Sequence, residues 1–323
     1  MELPSLEQIR AAQTLIYRHM PPTPQYSWPL LNERLGCEAW VKHENHTPVG
    51  AFKLRGALVY LNRLRETDPQ VKGVVAATRG NFGQGVGRAA QIFGLKAIIV
   101  VPQANSAEQN RAMLAQTVQL IEHGHDFQAS LEFARTLASE RGFAFVESFH
   151  ELLVRGTATY ALEFLANAPA LEVVYVPIGL GSSICGVAAA REALGLKTEI
   201  VGVVAAQSPS YALSFHRRAV VGAPANSAIA DGLACRRPNK DAVETIVQNV
   251  SRVIEVSEAE IGDSMRAYYQ DTHNLAEGAG AAALAGALKE REQLRGRRIG
   301  VILTGGNVDM EAYARVIGEA EAR

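Results

Sequence analysis

The feature that most restricts this chain is a repeated pairing. A short run of β-branched and aliphatic residues is followed by a turn of Gly, Pro or small polar residues, and then by a segment of helical period. Such runs fall at Val74–Thr78, Ala97–Val101, Thr117–Ile121, Phe143–Val146, Val173–Pro177, Ile200–Val204, Val253–Val256 and Ile299–Thr304. They are continuous, not alternating, which is the pattern of strands covered on both faces, as in parallel sheets. Helical segments are expected at Gln84–Phe93, Ser106–Leu114, Glu151–Leu165, Glu258–Asp271 and Asp309–Glu321. The fold class is therefore α/β, with open, mostly parallel sheets flanked by helices.

A chain of 323 residues is long enough for two domains at roughly 150 residues each. The compact units between about residues 70 and 148 contrast with the longer units that follow, so a break is expected near 148. The charge balance, 32 Lys+Arg against 33 Asp+Glu, has no long run of one sign, which argues against nucleic-acid and membrane-surface partners. No uninterrupted apolar run approaches the length of a membrane span, and the amino terminus lacks a basic segment followed by an apolar one. Cys37, Cys185 and Cys235 lie far apart without a CxxC pair, which suits a reducing compartment. A cytoplasmic protein is expected.

Three segments carry candidate chemistry. In Lys42-His43-Glu44-Asn45-His46-Thr47-Pro48-Val49-Gly50-Ala51-Phe52-Lys53-Leu54-Arg55-Gly56-Ala57, Lys53 follows a Gly-Ala-Phe turn at the start of a helix. It is either a lysine able to form a Schiff base, if burial lowers its pKa, or a solvated helix residue. The turn Thr78-Arg79-Gly80-Asn81-Phe82 follows a strand and leads into a helix, at the carboxyl end where open α/β sheets bind ligands. The loop Gly179-Leu180-Gly181-Ser182-Ser183 precedes a helix, where N–H groups and the helix dipole favour a phosphate. Neither turn has GxGxxG or Walker spacing, which disfavours a dinucleotide or ATP.

Together with Thr304-Gly305-Gly306-Asn307-Val308-Asp309, these segments resemble the fold-type-II pyridoxal-phosphate enzymes, the tryptophan synthase β-like class. Within that class the serine/threonine dehydratase family is the nearest likeness, threonine ammonia-lyases and phenylserine dehydratases included. The resemblance implies pyridoxal 5'-phosphate held as a Schiff base on Lys53, the catalytic residue, with Phe52 packed on its ring. Asn81 would bond the ring's 3-hydroxyl oxygen, and Gly179, Leu180, Gly181, Ser182 and Ser183 would hold the phosphate. Thr304 would face the pyridine nitrogen, and Glu277, at the start of an Ala/Gly-dense helix, would lie nearby or serve as a plain helix-start carboxylate. Thr78, Arg79, Gly80, Asn81 and Phe82 would face the substrate.

The implied reaction is elimination of water from a β-hydroxy amino acid, threonine, serine or a bulkier analogue such as 3-phenylserine or 3-hydroxyaspartate. The products are a 2-keto acid and ammonia. The alternatives are β-replacement of the cysteine-synthase kind, amino-acid racemisation, or a non-catalytic ligand-binding α/β protein. Arg79 stands where related racemases carry a second acid/base serine, which puts racemisation in doubt. It either pairs with a substrate carboxylate or lies on the surface, and Phe82 either shapes the β-substituent pocket or packs in the core. No metal site is expected, because Val204–Ser210 contains no acid where cation-binding members have carboxylates. Lys53 lies before the compact region and the phosphate loop after it. The small substrate domain, 66–148, is therefore expected to be inserted in a discontinuous cofactor domain, 1–65 and 149–323. A homo-oligomer, dimer or tetramer, is expected.

Overall fold

A computed structural model describes residues 1–318. Strands and helices are numbered here in chain order. The described residues form two sheets. In the larger, β1 (Gln25–Ser27), β2 (Glu38–His43), β10 (Arg298–Leu303), β7 (Val173–Pro177), β8 (Glu199–Ala205) and β9 (Arg252–Val256) lie side by side in that order. Only β1 runs antiparallel to its neighbour; the other ladders are parallel. The smaller sheet is entirely parallel, in the order β5 (Gln119–Glu122), β4 (Lys96–Val101), β3 (Gly73–Ala77) and β6 (Ala144–Phe145).

The side-chain alternation of each strand is visible in how the core divides. Val173 and Tyr175 of β7 pack in one cluster with α12 (Gly278–Lys289), whereas Val174 and Val176 pack in another with α7 (Glu151–Asn167) and α8 (Ser182–Ala193). In the smaller sheet, Val74 and Ala76 face α3 (Lys53–Thr67) and α4 (Asn81–Ile92). Val75 and Ala77 face α6 (Phe127–Arg141) on the other side. Both faces of the central strands are thus covered, which is why β3, β4, β7, β8 and β10 read as unbroken apolar runs.

The sequence reading misses β1 and β2. The first has three residues, and the second contains Trp40, Lys42 and His43, so neither has an aliphatic run. Helix α4 begins at Asn81, three residues before the expected Gln84, because its first turn is the glycine-rich segment that propensity assigns to a loop. The helix expected over Asp309–Glu321 is described as α13 (Met310–Gly318), its last residues lying outside the described part. Asp126 caps α6 as expected, its carboxylate accepting from the Ala129 N–H at 2.9 Å.

Candidate active site

Three of the turns singled out above leave the carboxyl ends of parallel strands: β3 runs into Thr78–Phe82, β7 into Gly179–Ser183, and β10 into Thr304–Asn307. Lys53 opens α3 and is brought to them by backbone pairing. The Phe52 N–H donates to the Thr304 carbonyl at 3.1 Å, and Ala51 forms a bridge with Gly305. Lys53, Phe82, Ser182, Thr157 and Ser148 line one small cavity. The Lys53 Nζ lies 4.6 Å from the centre of the Phe52 ring.

Burial pushes the Lys53 amine down to about 8, against the opposing pull of the Glu277 charge. A neutral amine is then within reach near neutral pH. Burial likewise pushes the Glu277 carboxyl up to about 7, with Asn81 and Lys53 pulling it back and Asp231 adding to the rise. Glu277 is the cap residue of α12, yet its carboxylate makes no capping bond. Both of its oxygens accept from the Asn81 amide instead, at 2.8 Å and 3.0 Å. The Asn81 amide oxygen in turn accepts from Asn307 Nδ2 at 2.7 Å.

The Gly179–Ser183 loop is shaped by two glycines. Gly181 has φ of +100°, and a Cβ on Gly179 would collide with the Gly232 carbonyl oxygen. Leu180 packs against the core, its carbonyl accepting from the Tyr211 hydroxyl at 2.8 Å. The hydroxyls of Ser183 and Tyr160 are 2.6 Å apart, and Thr157 Oγ1 donates to the Ser182 carbonyl at 2.7 Å. Thr157, Tyr160 and Ser148 were not found from the sequence; their only signal is an i, i+3 spacing of polar residues on α7 and a serine after β6.

Of the turn after β3, Thr78 and Phe82 are buried, and the Thr78 hydroxyl accepts from the Gly80 N–H at 3.1 Å. Arg79 pairs with Asp231, its Nη1 3.2 Å from Asp231 Oδ1 with both side chains half-exposed. Thr304 is buried.

Beneath the site lies a closed set of charges. Arg55, fully buried, donates to Glu44 at 2.8 Å and to Glu163 at 2.6 Å, and Lys42 Nζ reaches Glu163 at 2.6 Å. Two cations face two anions, so the set is neutral and each member is hydrogen-bonded. Glu44 is thereby taken up by Arg55, and His43 accepts from Trp28 Nε1 at 3.0 Å.

These residues fit a phosphorylated aldehyde cofactor. The buried amine suits an imine, the loop at the start of α8 offers a glycine cradle for an anion, and Ser148 Oγ in the same cavity is buried without a hydrogen-bond partner among the described residues. Fold and site together define a fold-type-II enzyme of the pyridoxal-phosphate class. A family model described as "Pyridoxal-phosphate dependent enzyme" matches residues 16–305, and the chain belongs to that family.

The chain is 32% identical over 316 residues to L-threonine ammonia-lyase of Thermotoga maritima, covering 98% of this chain and 78% of the relative. It is 30% identical over 322 residues to L-threo-3-hydroxyaspartate ammonia-lyase of Saccharomyces cerevisiae, covering 99% and 98%. Maize serine racemase superposes with a TM-score of 0.91 at 26% identity, covering 99% of each chain. The cofactor is pyridoxal 5'-phosphate and the chain is a lyase of the dehydratase group. No helix among the described residues is long and apolar enough to cross a membrane.

Proposed function

We propose that this chain eliminates water from a β-hydroxy amino acid of the threonine, serine or 3-hydroxyaspartate class, releasing a 2-keto acid and ammonia. The observation that carries the reading is Lys53, a lysine with a pKa pushed down to about 8 by burial, in a cavity shared with the α8 loop. Pyridoxal phosphate, when bound, supplies an electron sink that acidifies the substrate's α-proton and allows the β-hydroxyl to leave. Gly179, Leu180, Gly181, Ser182 and Ser183 would hold its phosphate through backbone N–H groups and hydroxyls, and Phe52, Asn81 and Thr304 would hold its ring.

Lys53 takes the α-proton on its neutral amine. The Cβ–O bond breaks and the hydroxyl departs with a proton as water. The released enamine tautomerises and is hydrolysed in solution, its nitrogen leaving as ammonia and water supplying the keto oxygen. Phe82 narrows the cavity on the substrate side. Racemisation would need a second acid/base on the opposite side of the substrate, and the turn offers Arg79 there, a group that is always charged.

In this reading, residues 66–148 form the substrate domain and residues 1–65 and 149–323 the cofactor domain. A cytoplasmic setting is supported by three buried, unbonded cysteines, and a homo-oligomer by exposed Tyr26, Leu30 and Tyr269. Keto-acid release by the cofactor-loaded protein over serine, threonine, 3-hydroxyaspartate and 3-phenylserine tests the proposal. Release from at least one is expected; none from any, with cofactor bound, would overturn it.

A further inference from the structure

Two carboxylates, Glu277 and Asp231, lie between two cations around the site, Lys53 and Arg79. Lys53 acts on Glu277, Glu277 feels Asp231, and Asp231 pairs with Arg79. Lys53 is committed to the cofactor and to proton transfer. The other two turns at the strand ends, Gly179–Ser183 and Thr304–Asn307, carry no cation. Arg79 is thus the one basic side chain in these three turns, and the one available to meet an anion on a substrate.

Its surroundings suit that task. The Arg79 backbone is fixed, its carbonyl accepting from Asn105 Nδ2 at 2.9 Å. The guanidinium is not: among the described residues its hydrogen bond is the single one to Asp231, at 3.2 Å. A guanidinium has five donors in a planar fork matched to a carboxylate, so most of its capacity is unused. Both partners are 45% exposed, and an ion pair in that setting is weak and readily exchanged. The pair also spans from the turn after β3, where Arg79 is two residues from Asn81, whose amide holds Glu277, to the 3₁₀ turn Asp231–Leu233.

We infer that Arg79 is a specificity residue that selects β-hydroxy amino acids bearing a second carboxylate, Asp231 being the counter-ion that holds it until such a substrate arrives. This rests on the ammonia-lyase reading above. A neutral β-substituent such as a methyl group leaves the Arg79–Asp231 pair in place. A carboxylate on the β-carbon takes the guanidinium from Asp231 and gains a charge-assisted contact that a methyl group cannot make.

The test is the ratio of kcat/KM for L-threo-3-hydroxyaspartate to that for L-threonine, measured by keto-acid release in wild type and Arg79→Met, with cofactor loading of both checked by absorbance. Losing a hydrogen-bonded ion contact lowers that ratio by roughly 10- to 100-fold. A fall smaller than about tenfold overturns the inference. If Arg79→Met does not yield folded protein, Arg79→Gln is read by the same ratio. Absence of keto acid from all of serine, threonine, 3-hydroxyaspartate and 3-phenylserine in loaded wild type overturns the ammonia-lyase reading itself, whereas no release from 3-hydroxyaspartate in an enzyme active on another of them, or an unchanged ratio, overturns only the role of Arg79.

Discussion

The side-chain amide nitrogen of Asn81 lies 2.8 Å from Glu277 Oε1 and 3.0 Å from Glu277 Oε2. The first residue of α4 is thereby tied to the cap of α12, across 196 positions of sequence. Asn307 extends the tie, donating to Asn81 Oδ1 at 2.7 Å and to the Val49 carbonyl at 2.8 Å. The two sheets therefore meet through amides, with one carboxyl whose charge is disfavoured by burial.

That carboxyl predicts a pH effect on stability. Glu277 has its pKa raised by burial to about 7, above the ordinary value of about 4.3. Between those values the folded state binds more protons than the unfolded one, so this group's contribution to stability falls as pH rises. Glu277→Gln removes the slope. Thermal unfolding of the cofactor-free proteins should show wild type losing ground to the variant between about pH 4.3 and pH 7. Parallel curves would count against it.

The buried charge set predicts the opposite sign. Burial pushes Glu163 up, but Arg55 and then Lys42 more than offset it, so its pKa lies below the usual range. A depressed carboxyl adds stability above its unfolded pKa, and that stability is lost as pH falls through the folded value. Glu163→Gln strands part of the charge on Arg55 and Lys42 and should cost about 3–5 kcal/mol at pH 7. Urea unfolding should show the gap between wild type and variant shrinking below about pH 4. A gap that is small at pH 7, or the same at both, would refute the assignment.

How much of this was legible follows from where each interaction lies along the chain. Lys53, the Asn81 turn and the Gly179–Ser183 loop were legible as candidates because each is a local pattern tied to a strand or helix end. The partners of those residues were not. Glu163 meets Arg55 across 108 positions, and Lys42 across 121. A lone Lys42 in a sequence reads as exposed, and only the folded chain brings it the two oxygens that permit its burial. Strand β2 was missed for the same reason, since its polar residues are inside because of this set and its aromatic neighbours.

The glycine cradle gives a prediction about binding. Gly181 has φ of +100°, and a Cβ there would meet the Ala242 Cβ at 2.7 Å. Gly181→Ala should strain the loop by about 1–2 kcal/mol or displace it. Titration of the cofactor-free variant with pyridoxal phosphate, followed by absorbance, should give a Kd raised roughly tenfold or more. An unchanged Kd would remove this loop from the phosphate site.

Lys53 is predicted both to anchor the cofactor and to move the α-proton, and the absorption spectrum of Lys53→Ala together with its keto-acid release reads both roles at once. The variant should lack the Schiff-base band at roughly 410–420 nm and turn over no substrate. A variant that keeps both the band and wild-type turnover would exclude Lys53 from both roles.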